Sequence, residues 1–168
     1  MPAEDRQHEY IIALGSNRRH HRYGSPRQTV EAAFAALARN DITVLNCSRI
    51  FTTFPIGPST RAYANAAVTV ASNLAPDSLL HELKEIEAEF GSRRGQRWSA
   101  RTLDLDIILW GGGSFHSSNV TIPHTLFRTR DFVLKPLMSV APSWVDPITN
   151  LSVRHLFTRL TKKQRKEG

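Results

Sequence analysis

The chain has 168 residues, 40% of them hydrophobic, enough for one domain to bury a core without covalent staples. Its single cysteine, Cys47, rules out an internal disulfide and a thiolate metal centre, and no apolar run approaches the roughly 20 residues of a membrane span. Lysine and arginine outnumber aspartate and glutamate 22 to 15, a surplus of +7 with a pI near 10.2, so the expected ligand is an anion.

The first ten residues carry no apolar signal region, which together with the lone cysteine predicts a cytoplasmic protein. Residues 10–14 are a short apolar run stopped by Gly15-Ser16-Asn17, a strand entering a loop that holds Arg18-Arg19-His20-His21-Arg22, with both histidines read as solvated. Ser25 and Pro26 form an N-cap and first-turn pair, and Val30, Ala33, Phe34 and Leu37 recur at helical spacing behind them. Residues 42–51 and 63–71 have strand composition and are separated by the turn-rich Pro55-Ile56-Gly57-Pro58-Ser59. Cys47, inside the first of these strands, is expected to be a small buried hydrophobe.

Pro76 opens a second helix with Leu79, Leu83, Ile86 and Phe90 on one face, and Gly91 closes it. His81 on this helix and His155 further on are read as helix-surface residues. A basic loop over residues 92–101 leads into a strand at 103–110, which Gly111-Gly112-Gly113 ends. A long loop reaches Pro123-His124, residues 132–140 are apolar again, and residues 161–168 read as a basic, solvated or disordered end. The order β-α-β-β-α-β predicts a single ferredoxin-like α+β domain, an antiparallel sheet with helices packed on one face.

The densest chemistry lies in R-W-S-A-R-T-L-D-L-D-I, residues 97–107. On a strand, side chains alternate, so Asp104 and Asp106 share one face while Leu103, Leu105 and Ile107 point into a core. Hard oxygen ligands of this kind suit Mg²⁺ that is also held by substrate phosphates. Arg97 and Arg101 can fork onto phosphate oxygens, and Trp98 can stack on a base or cover a cation. A paired carboxylate alone is more often the solvated side of an edge strand; the neighbouring Arg97, Trp98 and Arg101, and the downstream His124, Arg128 and Arg130, single this one out. Neither a P-loop nor a dinucleotide-binding glycine pattern occurs, so side chains must hold any nucleotide, and the seven histidines show no zinc-protease spacing.

Taken in order, I-A-L-G-S-N (12–17), T-F-P-I-G-P (53–58), Y-A-N-A-A-V (63–68), R-W-S-A-R-T-L-D-L-D-I and P-H-T-L-F-R-T-R-D-F-V-L-K-P-L (123–137) resemble the 6-hydroxymethyl-7,8-dihydropterin pyrophosphokinase family of folate biosynthesis, over about residues 10–157. The resemblance implies transfer of pyrophosphate from MgATP to the hydroxymethyl oxygen of the pterin, with AMP released. It assigns two Mg²⁺ ions to Asp104 and Asp106, and phosphate and leaving-group contacts to Arg97, Arg101, His124 and Arg130. The pterin pocket maps onto Thr53, Pro55, Gly57, Tyr63, Asn65, Trp98 and Phe132, and the ATP side onto Lys84, Glu87, Arg94 and Thr121, with Leu79 and Leu80 beside them. Expected partners are ATP and the pterin, with neither nucleic acid nor membrane, in a monomer functionally coupled to dihydropteroate synthase.

The chain departs from the family where Ser99-Ala100 replace the usual Gly-Pro, where Ser92 stands for an arginine, at Thr125, and in the basic loop after Asn17. Two rivals follow: a divergent paralogue acting on another hydroxymethylated heterocycle, and a nucleic-acid-binding module on the same scaffold. Against the second, the RNA-recognition strand signature is absent, and two acids amid basic residues repel a phosphate backbone.

Overall fold

The computed structural model describes residues 7–39, 41–53, 62–91 and 102–168. Strand β1 (His8–Ser16) runs through the middle of the molecule, followed by helix α1 (Pro26–Leu37), strands β2 (Thr43–Cys47), β3 (Phe51–Thr53) and β4 (Tyr63–Ser72), helix α2 (Pro76–Gly91) and strand β5 (Asp104–Trp110). All pairings are antiparallel, in the order β2-β4-β1-β5, with β3 also on β4. This is the ferredoxin-like arrangement expected from the element order. A hairpin of β6 (Phe115–His116) and β7 (Thr121–Ile122) then leads through the cis Ile122–Pro123 bond and a 3-10 turn (Phe127–Thr129) into helices α3 (Asp131–Val140) and α4 (Val153–Glu167).

Local signals explain the first two helices. Ser25 caps α1 in a complete capping box with Gln28, and Pro26 occupies the first turn; α2 likewise starts on Pro76. Both bury their apolar stripes, Val30, Ala33 and Leu37 with Leu79, Leu83, Ile86 and Phe90, against Tyr10, Ile12 and Leu14 of β1.

Helices cover both faces of the sheet, and this corrects the expectation of helices on one. Ile11 and Ala13, which alternate with the residues above, are buried under Leu134 and Leu137 of α3 and Val153 and Leu156 of α4. The physical reason is visible in β1: five consecutive buried apolar residues, Tyr10 to Leu14, require cover on both sides. The apolar run at 132–140 is one of the covering helices, with Pro136 inside it.

Three further expectations change. The strand expected at 42–51 breaks at Ser48, whose N–H donates to the Ala67 carbonyl at 2.8 Å and whose Oγ accepts from the Ala67 N–H at 2.9 Å, so the ladder to β4 continues across the break. Cys47 is exposed, because β2 is an outer strand whose residues face mostly outward. The basic end from Thr161 continues α4 as helix to Glu167, with side chains from Lys162 onward exposed. His81 and His155 lie on helix surfaces as expected.

Candidate active site

The site is built across three strands at one end of the sheet. Register places Asn65 of β4 and Asp104 of β5 on either side of Gly15, and Ala67 and Asp106 on either side of Ala13. The central strand therefore contributes no bulk, and the floor between the carboxylates and the Asn65 amide stays open. A Cβ on Gly15 would come within 3.3 Å of Asn65 Oδ1 and press on that amide. Asp104 and Asp106 are exposed while Leu103 and Leu105 are fully buried, the alternation expected of this strand.

A cavity of about 400 Å³ opens over this floor. Thr53 and Tyr63, paired across β3 and β4, form one wall, and Arg130, Phe132 and Val133 at the start of α3 form the other. Tyr63 and Phe132 are 43% and 44% exposed, so two aromatic rings stand largely bare beside a polar floor, as a flat heterocycle with an amide edge requires. The Arg130 guanidinium lies 5.7 Å from the centre of the Phe132 ring.

A β-bulge sets His124. Between Ile107 and Leu109 the strand carries one extra residue against β1, Ile108, and the Ile108 carbonyl accepts from the His124 N–H at 3.0 Å. His124 Nδ1 accepts from the Leu126 N–H at 3.2 Å, so in the neutral ring the proton sits on Nε2, leaving a donor there. Burial pushes the His124 pKa below its usual value; the Asp106 carboxylate opposes this and the Arg130 guanidinium reinforces it. The balance of these effects favours the neutral ring.

On the outer edge of β5, buried Glu87 accepts from the Leu105 N–H at 3.4 Å and from Lys84 Nζ at 3.0 Å. The pair thus ties α2 to the carboxylate strand.

The structure brings Thr53, Tyr63, Asn65, Asp104, Asp106, Arg130 and Phe132 into one cavity, with His124 electrostatically coupled to Asp106 and Lys84 and Glu87 behind the strand. Thr121 instead lines a separate cleft beside the hairpin, its Oγ1 2.9 Å from His116 Nδ1. Pro55, Gly57, Arg94, Arg97, Trp98 and Arg101 lie outside the described residues.

Two readings are corrected here. Arg128 is no phosphate-facing neighbour of Arg130: its Nε and Nη2 donate to the fully buried Asp146 carboxylate at 2.6 and 2.8 Å. His20 is buried, because its Nδ1 accepts the N–H groups of Arg22 and Tyr23 and its ring lies 4.5 Å from His21 and 4.7 Å from Tyr23. Gly15, Ser16 and Asn17 also line the cavity, although the sequence marked them only as the end of a strand and part of a motif shared with the family, with no role in the site.

Among the described residues no three His, Cys, Asp or Glu side chains gather as a metal cage. A two-carboxylate set fits Mg²⁺, which keeps water and substrate phosphate among its ligands rather than an all-protein shell.

Comparison with known proteins agrees with this chemistry. A 2-amino-4-hydroxy-6-hydroxymethyldihydropteridine pyrophosphokinase of Synechocystis is 36% identical over 91% of this chain and 76% of its own length, and one of Haemophilus influenzae is 38% identical over 81% and 83%. The wild-type HPPK-DHPS of Plasmodium falciparum shares the fold, with a TM-score of 0.76 at 13% identity over 98% of this chain, which spans 45% of that larger one. The sequence model of the 7,8-dihydro-6-hydroxymethylpterin-pyrophosphokinase (HPPK) family matches residues 11–142, and the chain belongs to that family.

Proposed function

We propose that this chain transfers the β,γ-pyrophosphoryl unit of ATP to the hydroxymethyl oxygen of 6-hydroxymethyl-7,8-dihydropterin. In the reaction the pterin oxygen bonds to Pβ, the bond between Pβ and the α,β-bridging oxygen breaks, AMP leaves with that oxygen, and the hydroxyl proton is released. The observation that carries this reading is the exposed Asp104 and Asp106 pair, in one cavity with Tyr63, Asn65 and Phe132.

Transfer of this kind is mainly positioning and charge neutralisation, and no protein nucleophile is needed. Tyr63 and Phe132 hold the pterin between their rings, and the Asn65 amide, uncrowded by Gly15, reads its polar edge. Mg²⁺ bound by Asp104 and Asp106 would neutralise triphosphate charge and lower the pKa of the attacking hydroxyl. His124, neutral with its proton on Nε2, donates to a phosphate oxygen of the departing nucleotide, and Arg130 faces the developing charge from the same side. Arg97, Arg101 and Arg94 supply further phosphate contacts, Trp98, Pro55 and Gly57 complete the pterin pocket, and Thr121 meets the adenine edge, as the resemblance implies. Two Mg²⁺ ions, a monomeric state, a cytoplasmic location and coupling to dihydropteroate synthase complete the proposal. Fusion in the Plasmodium protein named HPPK-DHPS supports that coupling.

The test is binding at equilibrium. Separate titrations of a non-hydrolysable ATP analogue with Mg²⁺ and of the pterin should show a binding step for each, and Asn65→Ala should weaken the pterin step alone. Equal loss of both steps would remove the assignment of Asn65 to the pterin pocket.

A further inference from the structure

Most of the chain's positive surplus lies on an element that the reaction does not use. Helix α4 carries Arg154, Arg159, Lys162, Lys163, Arg165 and Lys166 against the single acid Glu167, a surplus of five in a chain whose total is seven. It also lies beyond residues 11–142, the span that the family model matches.

On a helical projection Val153, Leu156, Phe157 and Leu160 fall on one half, and they pack on the α3 cluster. Five of the six cations fall on the opposite half, Lys163 lies at its margin beside Leu156, and all six are exposed. Within the described residues the one ion pair on this helix is Lys163 with Glu167 at 3.8 Å, at a solvated site where such a pair contributes little. The other five cations are unpaired there, so mutual repulsion along about 22 Å of helix is left without an internal counterion.

Three classes of partner carry matching charge, and the face discriminates among them. Stable insertion of a helix in a bilayer needs an apolar half, and that half is already buried in the core, so only headgroup attraction is left for a membrane. An acidic protein needs apolar or aromatic anchors at the centre of the contact, and the exposed residues of α4 are arginine, lysine, threonine, histidine, glutamine and glutamate only. A nucleic-acid backbone needs neither; its interfaces are polar and strongly positive, and its affinity comes from neutralised phosphates. The carboxylates that argue against nucleic acid at the cavity stand on β5, not on this helix. We propose that the exposed face of α4 is a docking surface for the phosphate backbone of nucleic acid, without sequence preference, separate from the cavity of the pyrophosphokinase reaction.

The experiment is fluorescence anisotropy of the full chain with a labelled 20-nucleotide single-stranded RNA and a 20-base-pair DNA duplex between 50 and 300 mM KCl, alongside co-sedimentation with phosphatidylserine-containing vesicles. Expected is Kd of about 10⁻⁴ to 10⁻⁶ M near physiological salt for one or both nucleic acids, weakening steeply with salt, and weaker binding to the vesicles at the same salt. The variant Lys162→Gln/Lys163→Gln/Lys166→Gln should weaken RNA binding on the order of 50-fold and flatten the log–log salt slope by about 2, with catalytic turnover unchanged. Arg154→Gln/Arg159→Gln, at the other end of the helix, should act in the same direction. Unchanged affinity in both variants, vesicle binding alone, or no binding of either nucleic acid at 50 mM KCl would overturn the proposal.

Discussion

Asp106 stands on the exposed side of a strand whose other side is core, so its carboxylate contributes charge and little packing. Asp106→Ala is expected to lower turnover on the order of 10³-fold or more while circular dichroism and melting temperature stay close to the parent. Retained turnover would remove the carboxylate from the reaction. Gly15 acts by what it lacks: Gly15→Ala places a methyl 3.3 Å from Asn65 Oδ1 and should raise KM for the pterin roughly tenfold, with KM for ATP little changed. An equal effect on both substrates would contradict that division of the site. For His124, burial holds the folded pKa below the usual value of 6.5, so the unfolded chain takes up the proton first. Its contribution to stability is present above pH 6.5 and is lost as pH falls toward the lower folded value. Melting curves of His124→Gln should therefore decline less between pH 6.5 and 5 than those of the parent, and identical declines would refute the assignment.

At the scale of elements, the segment carrying His124 and Arg130 is held from behind. Phe127 is fully buried, and Arg128 binds Asp146, which also accepts from Thr149 Oγ1 at 2.6 Å and the Ile148 N–H at 3.0 Å. Burial opposes ionisation of Asp146, but these hydrogen bonds outweigh it and hold its carboxyl below the usual value of 3.8. The pair therefore stabilises fully above about that pH, and its contribution is lost as acid protonates Asp146. Asp146→Asn leaves the Arg128 charge without its partner and should cost about 3 kcal/mol in urea unfolding, whereas Arg128→Met/Asp146→Leu should cost much less. A loss below about 0.5 kcal/mol in the single variant would show that the pair anchors nothing. Elements with local causes were legible in the chain: both early helices begin where Ser25-Pro26 and Pro76 say they should, and the carboxylate strand alternates as its residues do. What escaped depends on partners far along the chain. The run at 132–140 is a helix because α4 and β1 complete its core, the break at Ser48 is patched by Ala67, and the bulge at Ile108 exists only against β1 and His124. Within the site, D-x-D and the aromatic positions were readable as types, but the alignment of Asn65, Gly15 and Asp104 across three strands appears only in the register.

For the whole molecule, a site with two carboxylates and no third acidic or histidine ligand among the described residues means that metal and nucleotide should bind as a unit. A chelator alone should leave the melting temperature unchanged, since no cage of protein ligands is present among the described residues. A nucleotide analogue with Mg²⁺ at about a hundred times its Kd should add about 2.7 kcal/mol, and the chelator should cancel that gain. A chelator-induced fall in the ligand-free protein would indicate a structural metal instead. The most direct measurement of the central claim is a product assay with ATP, Mg²⁺ and 6-hydroxymethyl-7,8-dihydropterin, run on the parent chain and on Asp106→Ala and resolving AMP from ADP. The account predicts AMP and pterin diphosphate in equal amounts from the parent, only when pterin and Mg²⁺ are both present, and neither from the variant. ADP as the nucleotide product, or AMP formed without the pterin, would contradict it.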